Sequence, residues 1–166
     1  YDTIANAKHP YWGCFNPLAV RYLKTERTKK LENEVDFEFP LLLEYIYYWE
    51  DFPTEGMQQA YDDGKVVELT MQCSSVMNED LDNFNPFFDV LDGVADENLR
   101  RFAKDAAKFG KPFIFRLNNE MNSDWTSYGG PIILNDPDLY VEVWRRIYRI
   151  FQEEGVNNAI WVFNPN

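Results

Sequence analysis

A single carboxylate beside amide side chains marks the part of the chain best suited to chemistry. Glu120 directly follows two asparagines, Asn118 and Asn119. Trp125 stands five residues later. An apolar run at residues 113–117, interrupted only by Arg116, leads into this group, which is typical of a strand buried on both faces. A glutamate at the exit of such a strand can transfer protons as a general acid or base.

The elements that must position this carboxylate alternate between strand-like and helix-like segments. Apolar runs predict five strands, at residues 11–15, 39–46, 66–71, 113–117 and 159–163. Apolar periodicity and end signals predict helices in part of residues 18–35, then at residues 54–62, 96–109 and 137–154. Asp96 is predicted to cap the third of these helices, and Gly110 to end it. Residues 72–93 are predicted to form a long polar and aromatic loop.

Strands that alternate with helices predict a parallel sheet with right-handed crossovers. An open doubly wound sheet is the rival architecture, but no glycine-rich phosphate turn follows the first predicted strand. A (β/α)8 barrel of about 250 residues uses about 31 residues per unit, so 166 residues supply about five units. We therefore expect an α/β fold in which residues 1–166 form the N-terminal part of a single TIM barrel domain, with the later strands outside this chain.

Composition and charge narrow the range of partners. The chain has 28 acidic and 16 basic residues and a net charge of −12, so nucleic acid and anionic membranes are poor partners. No run approaches the roughly 20 apolar residues of a membrane span. Cys14 and Cys73 lack the paired spacing of a zinc site, and His9 is the only histidine, so no metal site is expected. Buried free thiols are the favoured interpretation of the two cysteines, and a single disulfide is the alternative.

The residues around Glu120 resemble the acid/base motif of glycoside hydrolase family 26, the β-mannanase family. The motif runs from Arg116 through Glu120 to Trp125, and the spacing of these three residues is its specific part. Residues 85–109 are similar to the family segment that precedes the motif. Residues 143–166 are similar to the family's fourth helix and fifth strand. The likeness is strong from about Gly64 onward and faint before it.

This resemblance implies retaining hydrolysis of a β-linked polysaccharide within the wider clan of TIM-barrel glycosidases. Glu120 would protonate the leaving glycosidic oxygen and later deprotonate water, while a second carboxylate about 5–5.5 Å away would attack the sugar. In the family that nucleophile leaves the seventh strand, which this chain does not contain. No metal or organic cofactor is implied, because two carboxylates suffice. Residues 1–166 alone are therefore expected to be inactive.

The chain departs from the family pattern at two positions near the acid. Asn119 stands where the family usually carries histidine, and asparagine is the residue that the wider clan uses to bind the sugar 2-hydroxyl and the nucleophile. Gln72 ends the third strand near a position where family members often place a substrate-binding histidine. The substrate is therefore expected to be β-mannan or a related β-glycan, with the sugar left open.

Further side chains are candidates for substrate contact or support. Asn119, together with Trp125 and Tyr128 just after the acid, is predicted to bind substrate, because aromatic faces stack on sugars. Simple packing under the loop is the alternative for the two aromatic residues, and for Tyr128 the two interpretations are about equally favoured. Trp161 on the fifth strand is predicted either to pack in the core or to line the pocket. Arg116 is expected to support neighbouring carboxylates, with Glu44 on the second strand as its partner or, alternatively, pointing outward. Three other acids, Glu50, Asp51 and Glu68, are predicted to be surface charges.

Two function classes remain open at this stage. The first is a secreted or cell-surface glycosidase that binds polysaccharide or oligosaccharide and is completed by further sequence or by another chain. The second is a non-catalytic carbohydrate-binding or scaffold module derived from such a barrel. A glutamate at the end of a later strand would favour the enzyme, because the retaining mechanism requires a second carboxylate.

Overall fold

A computed structural model describes residues 11–16, 25–74, 86–133 and 135–166. The described strands are β1 (Gly13–Phe15), β2 (Leu41–Tyr47), β3 (Val66–Gln72), β4 (Phe113–Leu117) and β5 (Ala159–Val162). The described helices are α1 (Thr25–Val35), α2 (Thr54–Asp62), α3 (Pro86–Leu91), α4 (Asp96–Phe109) and α5 (Pro137–Glu153). His9 lies outside the described residues.

The five strands form one sheet in the order β1-β2-β3-β4-β5, and every neighbouring pair is parallel. Each strand therefore lies beside the next one in sequence, with at least one helix in every connection. This confirms the predicted α/β class and the parallel sheet. Because all strands run the same way, the ends of β3, β4 and β5 lie along one edge of the sheet.

The two faces of the sheet differ in chemistry. One face carries fully buried apolar side chains such as Leu69 and Phe115, which pack against the helices. Phe115 contacts Phe102 of α4 and Phe151 of α5, with ring centroids 6.3 Å and 4.9 Å apart. The opposite face carries Arg116, Glu68 and Thr70 together with apolar side chains such as Leu43 and Ile114. The apolar core therefore lies between sheet and helices, and the polar side chains near the strand ends of the other face are available to build a site.

Local end signals account for the two helices that flank β4. Gly110 adopts the left-handed conformation (φ 69°) after α4, and its N–H donates to the Ala106 carbonyl. Only glycine takes this conformation without strain, so the predicted helix stop is confirmed. The Asp136 side chain accepts a hydrogen bond from the Asp138 N–H, and Pro137 begins α5. Capping and proline at the first position thus start this helix as predicted.

Two local predictions were wrong. The predicted loop at residues 72–93 contains α3, which Pro86 begins and which buries Phe87 and Val90 three residues apart. Proline is suited to the first turn of a helix, so its presence in the predicted loop is compatible with a helix start. Asp96 does not cap α4, because Ala95 occupies the cap position. The Asp96 carboxylate instead pairs with Arg146 of α5 at 2.9 Å.

Both cysteines are buried and unpaired, as the favoured interpretation predicted. Burial raises the pKa of the Cys73 thiol to about 12. Within the described ranges, no helix is both long enough and apolar enough to cross a membrane.

Candidate active site

Glu120 lies just beyond the end of β4, in a tight turn. Asn118 and Glu120 both have positive φ, at 49° and 57°. These left-handed conformations are uncommon for residues other than glycine, and they cluster at functional sites. The turn is held because the Glu120 N–H donates to the Asn164 carbonyl at 2.7 Å, beyond the end of β5. The Ser123 hydroxyl donates to the Glu120 carbonyl at 2.6 Å.

The Glu120 carboxylate is bound by the tryptophan that follows it. Trp125 Nε1 donates to Glu120 Oε2 at 3.0 Å. The indole is 57% exposed and Glu120 is half-buried, so both groups are open to solvent. The predicted proximity of these two residues is therefore present in the structure, at the carboxyl edge of the parallel sheet.

Asn119 is enclosed beside Glu120 by a small network of buried polar groups. Gln72 Nε2 at the end of β3 donates to Asn119 Oδ1 at 3.0 Å and to the Tyr128 hydroxyl at 3.2 Å. The Tyr128 hydroxyl in turn donates to the Asn119 carbonyl at 3.0 Å. All three side chains are buried. The two positions at which the chain departs from the family pattern are thus in direct contact.

Tyr128 does not offer an aromatic face to the cleft. Its side chain is fully buried and its ring stacks on Phe87 of α3, with centroids 6.1 Å apart and an interplanar angle of 14°. Burial raises the pKa of this phenol well above its ordinary value. The alternative of simple packing under the loop therefore describes Tyr128 better than sugar stacking does, and its hydroxyl acts on Asn119.

Arg116 is the centre of a second polar network, on the face of the sheet away from the helices. Its Nε lies 3.0 Å from Glu68 Oε1 and donates to the Thr70 hydroxyl at 2.8 Å. Its terminal nitrogens donate to Tyr45 Oη at 3.2 Å and to Asn164 Oδ1 at 3.1 Å. The guanidinium group therefore ties β2, β3 and the end of β5 to β4.

Of the two alternatives predicted for Glu44, pairing with Arg116 is wrong, and the position facing outward toward the helices matches the structure. In the sheet register Arg116 is level with Thr70 and Tyr45, whereas Glu44 is level with Leu69. Since successive residues of a strand point to opposite faces, Glu44 lies on the helix side of the sheet, where it is buried. The assignment of Glu68 as a surface charge is also wrong, because its carboxylate is only 19% exposed and binds Arg116. Asp51 is a surface charge as predicted and pairs with Arg101.

Trp161 lies away from the other candidate residues. Register places it level with Phe115, on the helix side of the sheet. Its ring contacts Phe115, Phe151 and Trp144, with centroid distances between 4.8 Å and 5.1 Å. Of the two alternatives predicted for this residue, the packing role matches its position, and the structure does not bring it to Glu120.

Tyr45, Thr70 and Asn164 were missed as site residues. Each belongs to the Arg116 network, yet none stands near Glu120 in the sequence. The signal that could have found Tyr45 and Thr70 is alternation: each occupies the strand position level with Arg116 once the register is known. The described residues contain no group of three or more histidine, cysteine, aspartate or glutamate side chains arranged to hold a metal ion.

Fold and site together define an α/β protein with a half-buried carboxylate at the carboxyl edge of a parallel sheet, the edge at which barrel enzymes keep their active sites. The profile of glycosyl hydrolase family 26 matches residues 51–166, which is more than half of the chain. The chain belongs to this family.

Individual relatives agree with the family. Endoglucanase H of Acetivibrio thermocellus is 35% identical over 80 residues, which are 47% of this chain and 9% of that protein. A GH26-CBM35 β-(1,4)-mannanase of Podospora anserina superposes with a TM-score of 0.67 at 12% identity, covering 96% of this chain and 40% of that one. A GH26 β-mannanase of Bacteroides ovatus gives 0.56 at 15% identity, covering 76% and 44%. The structural likenesses show the fold, and the chain spans less than half of each of these relatives.

Proposed function

We propose that the protein hydrolyses a β-linked polysaccharide by a retaining double displacement in which Glu120 is the general acid/base. The observation that carries this proposal is the position of the Glu120 carboxylate: half-buried at the carboxyl edge of the sheet, bound by Trp125 at 3.0 Å, and beside Asn119. A carboxyl group in this setting can protonate a leaving glycosidic oxygen and then accept a proton from water. The exposed indole next to it offers an apolar face to a sugar ring.

The nucleophile is proposed to lie outside these 166 residues, on a later strand of a complete (β/α)8 barrel. The retaining mechanism needs a second carboxylate about 5–5.5 Å from Glu120. The Arg116 network supports this assignment, because its charged and hydroxyl donors reach the same edge of the sheet as Glu120. A guanidinium group near a strand end favours the ionised form of a neighbouring carboxylate.

The substrate is proposed to be a β-mannan or a β-glucan backbone. The mannanase folds support the first and the endoglucanase relative supports the second. Hydrolysis of purified mannan and glucan polymers by the complete barrel distinguishes the two. Such polymers are too large to enter cells, so we also propose a secreted or cell-surface location, which fractionation of the producing cells tests.

The acid role is tested by Glu120→Ala in the complete barrel. Unactivated polysaccharide should lose most of its turnover, about 10²–10⁴-fold for a lost general acid. Aryl glycosides whose leaving group needs no protonation should keep their first step. Asp124→Ala is the matched control, because Asp124 is an exposed carboxylate four residues away. Equal losses on both substrate types in single-turnover assays would show that Glu120 is not the acid.

The same measurements address the second function, a non-catalytic carbohydrate-binding module. If the complete protein binds oligosaccharide but hydrolyses neither substrate type, the binding module is the better description.

A further inference from the structure

One backbone carbonyl group fixes which atom donates and which accepts in each hydrogen bond around Asn119. The Tyr128 hydroxyl lies 3.0 Å from the Asn119 carbonyl oxygen. A carbonyl oxygen can only accept, so the hydroxyl proton must be directed toward it. Burial raises the pKa of Tyr128, which keeps this proton on the phenol throughout the neutral range.

The remaining positions of the network follow in order. Because its only proton points to the Asn119 carbonyl, the Tyr128 oxygen can only accept a hydrogen bond from Gln72. The Gln72 atom 3.2 Å away must therefore be the amide nitrogen. The second proton of that nitrogen then points to Asn119 at 3.0 Å, where it requires the amide oxygen, Oδ1. The longer 3.3 Å contact between the Tyr128 hydroxyl and the same oxygen is then the weaker branch of a hydrogen bond whose single proton is shared with the Asn119 carbonyl. All contacts therefore agree on a single orientation of both amides.

The Asn119 amide nitrogen is left with two N–H donors to offer. Within the described ranges, no residue accepts a hydrogen bond from Asn119 Nδ2, and this nitrogen is not fully enclosed by protein. The side chain is only 1% exposed, so this slight opening is at the nitrogen. A buried donor with one open direction is suited to a ligand acceptor, because leaving it unpaired is costly.

We propose that Gln72 and Tyr128 are positioning residues that fix Asn119 as a hydrogen-bond donor to a sugar hydroxyl oxygen beside the scissile bond. This proposal rests on the proposed function and names the support of the same site. Neither positioning residue touches substrate; each acts through the Asn119 amide. The consequence is that the site presents a donor only and selects a hydroxyl oxygen that is free to accept.

Gln72→Glu tests the polarity because it preserves shape while replacing the donor with an acceptor. A carboxylate at this position would attract Asn119 Nδ2 and turn Oδ1 toward the substrate. We expect kcat/KM of the complete barrel to fall about 100-fold, equivalent to about 2.8 kcal/mol. Gln72→Met, which removes the donor without reversing the amide, should cost about tenfold, equivalent to about 1.4 kcal/mol.

The decisive control is the same pair of substitutions in an Asn119→Ala background. If Gln72 acts through Asn119, both should cost less than twofold there, because the group they orient is gone. A purely structural role would produce the same loss in both backgrounds and would overturn the proposal. Thermal melts of each variant identify losses that come from unfolding, and Tyr128→Phe replaces any Gln72 variant that does not fold.

A spectroscopic measurement separates this inference from the proposed function. Tyr128→Phe removes the oxygen that accepts from Gln72 Nε2, so the side-chain amide proton signals of Gln72 should shift in NMR spectra. Unmoved signals would overturn the network even in an active enzyme. Conversely, a protein in which Glu120→Ala changes no rate would refute the proposed function, while the shift of the Gln72 signals would still support the orientation of the amides.

Discussion

Replacing Lys65 with methionine should destabilise the protein strongly without affecting chemistry. Lys65 Nζ lies 2.5 Å from Glu32 Oε1 of α1 and donates to the Phe39 carbonyl at 2.9 Å. The Phe39 N–H donates to the same carboxylate oxygen at 2.8 Å. These contacts join α1 to the residues that precede β2 and β3, at the sheet edge opposite Glu120.

Burial sets the size of the effect. The Lys65 and Glu32 side chains are 7% and 9% exposed, so Lys65→Met leaves a carboxylate without its cation in a poorly solvated position. Removing one partner of a buried ion pair costs about 3–5 kcal/mol, far more than the 0–1 kcal/mol of an exposed pair. The Lys29–Asp63 pair nearby is matched in type but has a lysine that is 52% exposed, so Lys29→Met is the control and should cost less than about 1 kcal/mol.

The assay is urea unfolding of the complete protein, followed by tryptophan fluorescence, with kcat/KM measured on each folded variant. Adding Glu32→Gln to Lys65→Met should restore most of the lost stability, because glutamine keeps an acceptor for the Phe39 N–H without a buried charge. A loss below about 1 kcal/mol for Lys65→Met, or no recovery in the double variant, would show that water solvates this pair. The expected coupling exceeds about 2 kcal/mol, well above the error of additivity.

Three further predictions concern other parts of the chain. Burial raises the pKa of the Cys73 thiol to about 12, so this thiol should stay protonated at pH 8 and resist alkylation in the folded protein. It should react once the protein is denatured, and alkylation of the folded protein at pH 8 would contradict its burial. Gly110→Ala should cost about 1 kcal/mol in unfolding experiments, because φ is 69° there, whereas exposed Lys108→Ala should change stability by less than about 0.5 kcal/mol. Residues 1–166 alone should hydrolyse nothing and should associate in sedimentation, because among the described residues β1 and β5 each have one strand partner and an open edge; a cooperative melt as a monomer would contradict this.

The parts of the fold that follow from local signals could be predicted from the sequence. Continuous apolar runs located all five strands, and Gly110 and Pro137 marked the helix ends on either side of the β4 turn. Where the observed strand ends differ from the predicted ones, they differ by one to two residues. β2, for example, was predicted at residues 39–46 and runs from Leu41 to Tyr47. The helix α3 was missed because six residues are too few to show a helical period.

The site was harder to predict because it depends on register. Glu120 and Trp125 are five residues apart, so sequence alone brings them together. The partners of Arg116 lie between 46 and 71 residues away in the sequence. Glu44 was predicted as its partner but points to the opposite face of the sheet, whereas Glu68 points to the same face as Arg116. Successive side chains of a strand always point to opposite faces of the sheet. Which side chains face the helices is known only when the strand is aligned with its neighbours.

The polar face of the sheet is the strongest physical argument that β4 lines an interior built for a ligand. A face that only had to cover helices would repeat the apolar pattern of Leu69 and Phe115. Instead it places Arg116 in contact with Glu68 and with Tyr45 while leaving each of the three only partly buried. Charged groups in such a setting are stabilised by being paired and hydrogen-bonded, and that arrangement sets the electrostatics of the cleft in advance of any substrate. Glu120 and Asn119 lie just beyond this network, so the same strands that order the guanidinium group also hold the proposed acid and its neighbouring amide at the carboxyl edge of the sheet.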